Sequence, residues 1–282
     1  MGNTLRKLQL CEQMILDDID RVCAENGLQY FLVGGTLLGA VRHGGFIPWD
    51  DDLDIAMFRE DYERLQDIFI EQLSEKYFLQ NTQTDPLYPR VIAKVRLKGT
   101  IMQERSMEEV DMNHGVYVDI FPIDRIRNPR GLGIWVRGAI VRLCFAYKTL
   151  LAGRSNGHRM RLKHMLRFIP HILPNSRIEA LLHNVCTKDN QCPDAGFVTI
   201  FLSGYTYKKQ TIPAEVYGNG RKIRFEGKLY SAPEKPEAFL KNLYNDYMQL
   251  PPPEKRGAHK LTKISFGPYD EYLENKVRNE HR

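Results

Sequence analysis

The chain has 282 residues, 43% hydrophobic and 10% aromatic, enough to bury a substantial core, which excludes a disordered chain. Five scattered cysteines (Cys11, Cys23, Cys144, Cys186 and Cys192) with no Cys-x-x-Cys pair argue against a disulfide framework and against a zinc site. The net charge of +5 is unevenly spread: Arg125 to Ile178 holds twelve Lys or Arg and no Asp or Glu, leaving 28 basic against 35 acidic residues elsewhere.

Leu5, Leu8, Ile15, Ile19 and Val22 predict an amphipathic helix over residues 4–26, with Gly27 as its stop and Cys11 and Cys23 as core fillers. Charges at Arg6, Lys7 and Glu12 leave no hydrophobic signal segment, and a cytosolic location is expected. Leu28 to Val33 predicts a strand ending at Gly34-Gly35, with Thr36 in an N-cap position and a helix over 36–42. Amides at such a turn approach a phosphate closely, and the helix N-terminus adds partial positive charge. A glycine pair after a strand is also an ordinary turn, but a second pair at Gly44-Gly45 and an acidic run soon after it favour the phosphate reading. Arg42 can pair with a phosphate, whereas His43 reads equally well as an exposed loop residue.

The next predicted strand, 53–57, is preceded by acids. Extended backbone projects Asp50, Asp52 and Asp54 to one side and Asp51 and Leu53 to the other. Same-side carboxylates repel and are tolerated mainly around a cation, and hard oxygen donors suit Mg²⁺ or Mn²⁺. A solvated acidic turn is the alternative, but it leaves unexplained the apolar Leu53, Ile55, Ala56 and Met57 that run into a core.

A helix over Arg59–Leu73 follows, then a strand over Val91–Leu97 in which Lys94 and Arg96 share a face, either lining a polyphosphate channel or marking an exposed edge strand. In Val116–Phe121, alternation puts Tyr117, Asp119 and Phe121 on one face. A lone acid among apolar neighbours is costly unless paired or metal-bound, so Asp119 is read as completing the site begun by Asp52 and Asp54. Asp124, two residues after Pro122, reads as a turn or helix cap. Residues 125–178 predict two basic amphipathic helices, one around Trp135 with Arg137, Arg142 and Lys148, one over Arg159–Ile169. Their pattern suits a helix lying on an anionic membrane interface, or a core helix with a solvated basic face; the absence of acids favours the membrane. No nucleic-acid module or stacking motif accompanies them, and no nucleic-acid partner is expected. A helix near 176–189, a strand over Phe197–Leu202 and a helix over Pro236–Met248 stopped by Pro251-Pro252-Pro253 complete the pass.

Four segments, Gly34–Gly39, Pro48–Asp54, Val118–Asp124 and Tyr244–Pro252 with Arg256 and His259, resemble the LicD family of bacterial phosphocholine transferases, whose relatives include fukutin and fukutin-related protein. Family members commonly have Gly where Asn245 stands and a second His beside the one at 259. The resemblance implies an α+β fold: a nucleotidyltransferase-type mixed sheet flanked by helices, with a basic helical insert and a helical C-terminal part. The corresponding divisions are a catalytic core over 1–124, the insert over 125–178, and a C-terminal part over 179–282 that completes the donor pocket.

It further implies transfer of an alcohol phosphate from CDP-choline or another CDP-alcohol to a lipid-linked glycan acceptor such as a teichoic acid or lipopolysaccharide precursor, at the cytoplasmic face of a bacterial membrane met through 125–178. In that reading Asp52, Asp54 and Asp119 hold Mg²⁺ (or Mn²⁺), Asp119 or Asp50 accepts the acceptor's proton, and Gly34, Gly35, Thr36, Arg42, Lys94, Arg256 and His259 bind the donor phosphates. Trp49, Tyr244, Tyr247 and Asp246 form a pocket for choline or another alcohol. From spacing alone the tyrosines are a helix packing stripe, and Arg256 and His259 equally a solvated basic loop. Two other classes stay open: a nucleotidylyltransferase that moves NMP to its acceptor, and a non-catalytic nucleotide- and metal-binding module at the membrane.

Overall fold

The computed structural model describes residues 2–151, 175–257 and 259–280. Helix α1 (Gly2–Asn26) buries Leu8, Cys11, Ile15, Ile19 and Val22 along one face, and Gly27 ends it at φ +60°, the left-handed stop. Strand β1 (Phe31–Leu32) is shorter than the apolar run that encodes it. Helix α2 (Gly34–His43) begins two residues earlier than read, with Val33 in the cap position and Thr36 inside the first turn. Strand β2 (Asp54–Phe58) passes directly into α3 (Arg59–Gln72), whose first turn carries Glu60 and Asp61 where the helix dipole favours them.

Strands β3 (Tyr77–Gln80), β4 (Ala93–Leu97), β5 (Ile101–Glu104) and β6 (Tyr117–Ile126) follow. The sheet runs β1-β2-β6-β4-β3, with β2 and β6 parallel and the other neighbours antiparallel. Strand β4 is therefore interior, and Lys94 and Arg96 are buried in it, which overturns the exposed-edge reading. Helices α4 (Leu132–Leu151) and α5 (Asn175–Thr187) pack together, and β7 (Phe197–Thr199) pairs with the end of β6. The second basic helix, Arg159–Ile169, lies outside the described residues.

The chain continues through α6 (Tyr207–Gln210), β8 (Ile212–Pro213), the hairpin of β9 (Arg221–Phe225) and β10 (Lys228–Ala232), α7 (Pro236–Tyr244), β11 (Leu261–Ser265) and α8 (Asp270–Glu280). Helix α7 ends at Tyr244, four residues before the expected end, because Asn245 turns the chain at φ +61°. That left-handed backbone favours glycine, which accounts for the glycine common at this position in the family that the sequence resembles.

Two buried apolar clusters result. The larger joins α1, α2, α3, α7, α8 and the sheet; the smaller joins Ile126, Ile134, Val141, Ile178, Leu182 and Phe201 under α4 and α5. They meet at Asp124, which is neither turn nor cap. It lies fully buried in β6, takes Nε and Nη2 of Arg59 at 2.9 and 2.7 Å, and accepts Nδ2 of Asn190 at 3.0 Å. Asp124→Ala strands a guanidinium that is only 11% exposed and is expected to destabilise the fold by about 3–5 kcal/mol in chemical denaturation.

Candidate active site

Sheet register builds the site. Asp54 of β2 lies opposite Asp119 of β6, and Asp119 lies opposite Lys94 of β4, so the three side chains form one row on one face. Lys94 Nζ sits 2.6 Å from Asp119 Oδ1 and 3.2 Å from the centroid of the Tyr117 ring. Tyr117 Oη donates to Glu104 Oε1 at 3.0 Å. Burial pulls the Lys94 ammonium down to about 8 against the opposing pull of Asp119; Glu104, which burial would raise, is held at about 2 by Lys94, Arg90 and His259. Lys94 is thus the internal counter-charge of the acids. It is enclosed, and the phosphate-channel reading of it does not match its position.

Glycines admit the carboxylates. A Cβ on Gly34, at φ +56°, would stand 2.9 Å from Asp54 Oδ2, and one on Gly35 would stand 2.6 Å from Asp50 Oδ2. The start of α2 therefore faces the acids directly. Thr36 does not cap the helix; its Oγ1 accepts the Asp54 backbone N–H at 2.8 Å and ties α2 to β2. The second pair, Gly44-Gly45, is occupied from within. The tip of the β9–β10 hairpin seats there, with Glu226 N–H donating to Gly44 O at 3.0 Å and the Glu226 carboxylate accepting Phe46 N–H at 2.9 Å.

Residues 50–53 are not regular strand, yet the alternation holds: Asp50, Asp52 and Asp54 line a cavity while Asp51 and Leu53 are buried. One carboxylate oxygen from each of Asp50, Asp51 and Asp52 lies within 4.8 Å of the others. Asp51, 2% exposed, takes the His259 backbone N–H at 3.0 and 2.9 Å and faces His259 Nδ1 at 3.0 Å. That contact, then the charge of Asp52 and Glu104, lifts the imidazole to about 9. Burial, then Asp52 and Asp51, pushes the Asp50 carboxyl up to about 8; burial, then Asp52, Asp119 and Asp50, pushes Asp54 well above its usual range. Asp52 is raised by burial, with His259 opposing. Hard oxygen donors held this close without an internal cation between them fit a divalent metal ion.

The acids open onto a cavity of about 620 Å³ lined by Gly35, Arg42, Trp49, Asp50, Asp52 and Asp54 together with Tyr205, Tyr244, Asp246 and Tyr247. Arg42 Nη1 donates to Tyr247 O at 2.7 Å, and the Arg256 guanidinium lies 4.8 Å over the Trp49 ring. Tyr205 Oη and Tyr244 Oη are 3.2 Å apart. The structure thus brings together Gly34, Gly35, Arg42, Trp49, Asp50, Asp52, Asp54, Asp119, Tyr244, Asp246, Tyr247, Arg256 and His259, and sets Thr36 and Lys94 behind them.

Two residues at the site have no distinguishing sequence signal: Tyr205 and Glu12. Glu12 of α1 is fully buried, and neither carboxylate oxygen has a hydrogen-bond partner. It lies one turn from Gln9, whose Nε2 donates to Asp50 O at 3.0 Å.

Comparison with known proteins places this geometry. Residues 27–138 match the LicD/FKTN/FKRP nucleotidyltransferase domain. The chain is 30% identical over 265 residues to the lipopolysaccharide cholinephosphotransferase LicD of Haemophilus influenzae, covering 92% of this chain and 96% of that one. It is 57% identical over 35 residues to the ribitol 5-phosphate transferase FKRP of Homo sapiens, 12% of this chain and 7% of that one. An uncharacterized protein of Rickettsia prowazekii is 45% identical over 62 residues, 22% of this chain and 23% of that one.

Burial, then the charges of Asp52 and Asp51, raises the Glu12 carboxyl well above its ordinary value, so the folded chain keeps a proton that the unfolded chain releases. Its stabilising effect is complete below about pH 4.5 and declines as pH rises toward the folded value. Glu12→Gln keeps the shape and removes the titration. In chelator, its melting temperature is expected to fall less than wild type between mildly acidic and mildly alkaline pH.

Proposed function

The chain belongs to the LicD family, and from that premise we propose that it transfers phosphocholine, or a similar alcohol phosphate, from a CDP-alcohol to a sugar hydroxyl of a lipid-linked cell-surface glycan precursor, releasing CMP. Lipopolysaccharide and teichoic acid precursors are the acceptor classes this reading names. The observation that carries it is the cavity that Asp50, Asp52 and Asp54 line together with Tyr205, Tyr244 and Tyr247.

Asp52 and Asp54, with Asp119, would hold Mg²⁺, which neutralises diphosphate charge and lowers the pKa of a bound hydroxyl. The amides at the start of α2 and the guanidinium groups of Arg42 and Arg256 bind the diphosphate, and His259, kept cationic by Asp51, adds a donor. Trp49 already carries Arg256 over its ring, so the quaternary ammonium falls to Tyr205, Tyr244 and Tyr247 beside Asp246. Asp119 is engaged by Lys94, which leaves Asp50 to take the acceptor's proton. The acceptor oxygen then attacks the phosphorus that bears the alcohol. The bond from that phosphorus to the bridging oxygen breaks, and CMP leaves in line.

Purified protein with Mg²⁺ and CDP-choline, CDP-glycerol or CDP-ribitol, each with a lipid-linked amino-sugar oligosaccharide, is expected to release CMP and add an alcohol phosphate to the acceptor by mass. An acceptor that gains a nucleotide would instead identify NMP transfer, and metal-dependent binding without turnover a non-catalytic module. Asp52→Asn or Asp54→Asn is expected to abolish turnover with unchanged circular dichroism; an active Asp52→Asn protein sinks the assignment. Because a metal displaces the proton that burial and the neighbouring carboxylates keep on Asp54, Mn²⁺ affinity followed by electron paramagnetic resonance is expected to climb with pH from the acidic into the alkaline range.

A further inference from the structure

Helix α4 is apolar on two opposite faces. One carries Ile134, Val141 and Cys144 into the smaller core and buries Arg137 and Lys148, which pair with Asp189 and Glu179. The other presents Leu132, Trp135, Val136 and Leu143 at 77, 57, 40 and 70% exposure. Their spacing at i, i+3, i+4 and i+11 places them in one stripe, open to solvent along its length and bordered at Leu132 and Val136 by Asn184, Val185 and Lys188. A contiguous exposed patch of large apolar side chains marks a contact surface rather than an ordinary solvated helix face.

The surroundings identify the partner. Arg130 and Arg142 flank the stripe, and neither makes an ion pair among the described residues. Every acid that helix α4 meets in an ion pair is engaged on its buried side, and α4 itself contains no Asp or Glu. At the N-terminal end of the stripe lies a second cavity, of about 690 Å³, separate from the catalytic one and lined by Arg130, Leu132, Trp135, Phe197, Tyr207 and Lys208. Apolar walls, an indole at the rim and two cations beside it match the chemistry of a phospholipid interface: acyl chain, carbonyl belt and phosphate in turn. A protein partner complementary to this face would need acidic groups arranged around an apolar ridge; an anionic bilayer supplies both everywhere on its surface. No helix among the described residues is long and apolar enough to cross a membrane, so the contact is one of lying on the surface.

We propose that the outward face of α4, with the cavity at its N-terminal end, docks the protein on an anionic phospholipid bilayer. This deepens the reading of a lipid-linked acceptor by naming the surface that meets the lipid. It rests on that reading for its purpose and not for its geometry.

The chain has two tryptophans, so Trp49→Phe leaves Trp135 as the single tryptophan, excited selectively at about 295 nm, where tyrosine barely absorbs. With phosphatidylcholine vesicles containing phosphatidylglycerol, Trp135 emission is expected to shift to the blue and to be quenched by brominated acyl chains. Pure phosphatidylcholine vesicles and high salt are expected to weaken both effects. In the otherwise wild-type chain, Leu132→Glu with Leu143→Glu is expected to lower sedimentation with the anionic vesicles at least about tenfold. Three results would overturn the proposal: no shift with anionic vesicles, equal binding to neutral ones, or a Trp135 already shielded from acrylamide without lipid, which would mean that a second copy or the chain's own residues cover the face. CMP release on a soluble acceptor is measured alongside with the wild-type chain, since Trp49 lines the catalytic cavity. Vesicle binding without turnover would sink the transferase reading and leave the docking surface standing, whereas turnover without vesicle binding would do the reverse.

Discussion

The structure turns on two carboxylates that face each other across a parallel strand pair. Asp54 and Asp119 are register partners on β2 and β6, and Asp50, Asp51 and Asp52 crowd the loop that leads into β2. Like charges this close disfavour one another's ionised form, and the surrounding structure compensates from several directions. Lys94 arrives in register from the antiparallel side and neutralises Asp119. His259 neutralises Asp51 and pins the C-terminal segment to the acidic loop. Asp50, Asp52 and Asp54 are left without such a partner, and they are the acids that line the cavity. The pairing therefore separates Asp51, matched internally, from Asp50, Asp52 and Asp54 at the cavity, with Asp119 between Lys94 and Asp54 at the border.

Holding that division needs the rest of the fold. Strand β11 pairs with β5, with Leu261 opposite Glu104, and this pairing delivers His259 two residues earlier to Asp51. The β9–β10 hairpin fixes the far end of α2 through Glu226, while Thr36 fixes its near end to β2. Since α2 supplies the glycines on which Asp50 and Asp54 rest, the two anchors set where the carboxylates stand. The basic insert is fastened by the same logic: Asp124 and Arg59 join its core to the sheet, and Arg137 is consumed by Asp189 and the carbonyls of Val185 and Cys186. Part of the charge that makes 125–178 look like a polyanion surface is structural.

How much of this was legible in the sequence depends on distance along the chain. The strand, glycine turn and helix of residues 28–43 and the acidic approach to β2 are local, and periodicity with turn chemistry exposed them. Asp119 was recoverable because a lone acid in an apolar alternating run has few explanations. Alternation set Asp51 apart from Asp50, Asp52 and Asp54, but its partner His259 lies 208 residues away and was out of reach of local pattern. Lys94 and Arg96 were ambiguous because a strand does not reveal whether it is an edge or an interior one; the antiparallel pairing of β4 on both sides decided it. Gly44-Gly45 looked like Gly34-Gly35, and only Glu226, some 180 residues later, distinguishes them. Glu12 and Tyr205 sit in ordinary helix and loop sequence, and tertiary packing alone brings them to the acids.

The loop carrying Tyr205 also links the two cavities. Tyr205 lines the catalytic one, and two residues later Tyr207 lines the one at the foot of α4. Gly138 of α4 packs so closely on the Tyr207 ring that a Cβ there would overlap it, and Thr211 Oγ1 donates to Tyr207 O at 2.7 Å, so this loop is held between α4 and the sheet. A glycan whose lipid end lies at α4 and whose sugar enters the acid-lined cavity would run along this loop. On the proposed reading, the spacing of the two cavities along one short segment would limit the shape of the acceptor, and packing at Gly138 would help to set it.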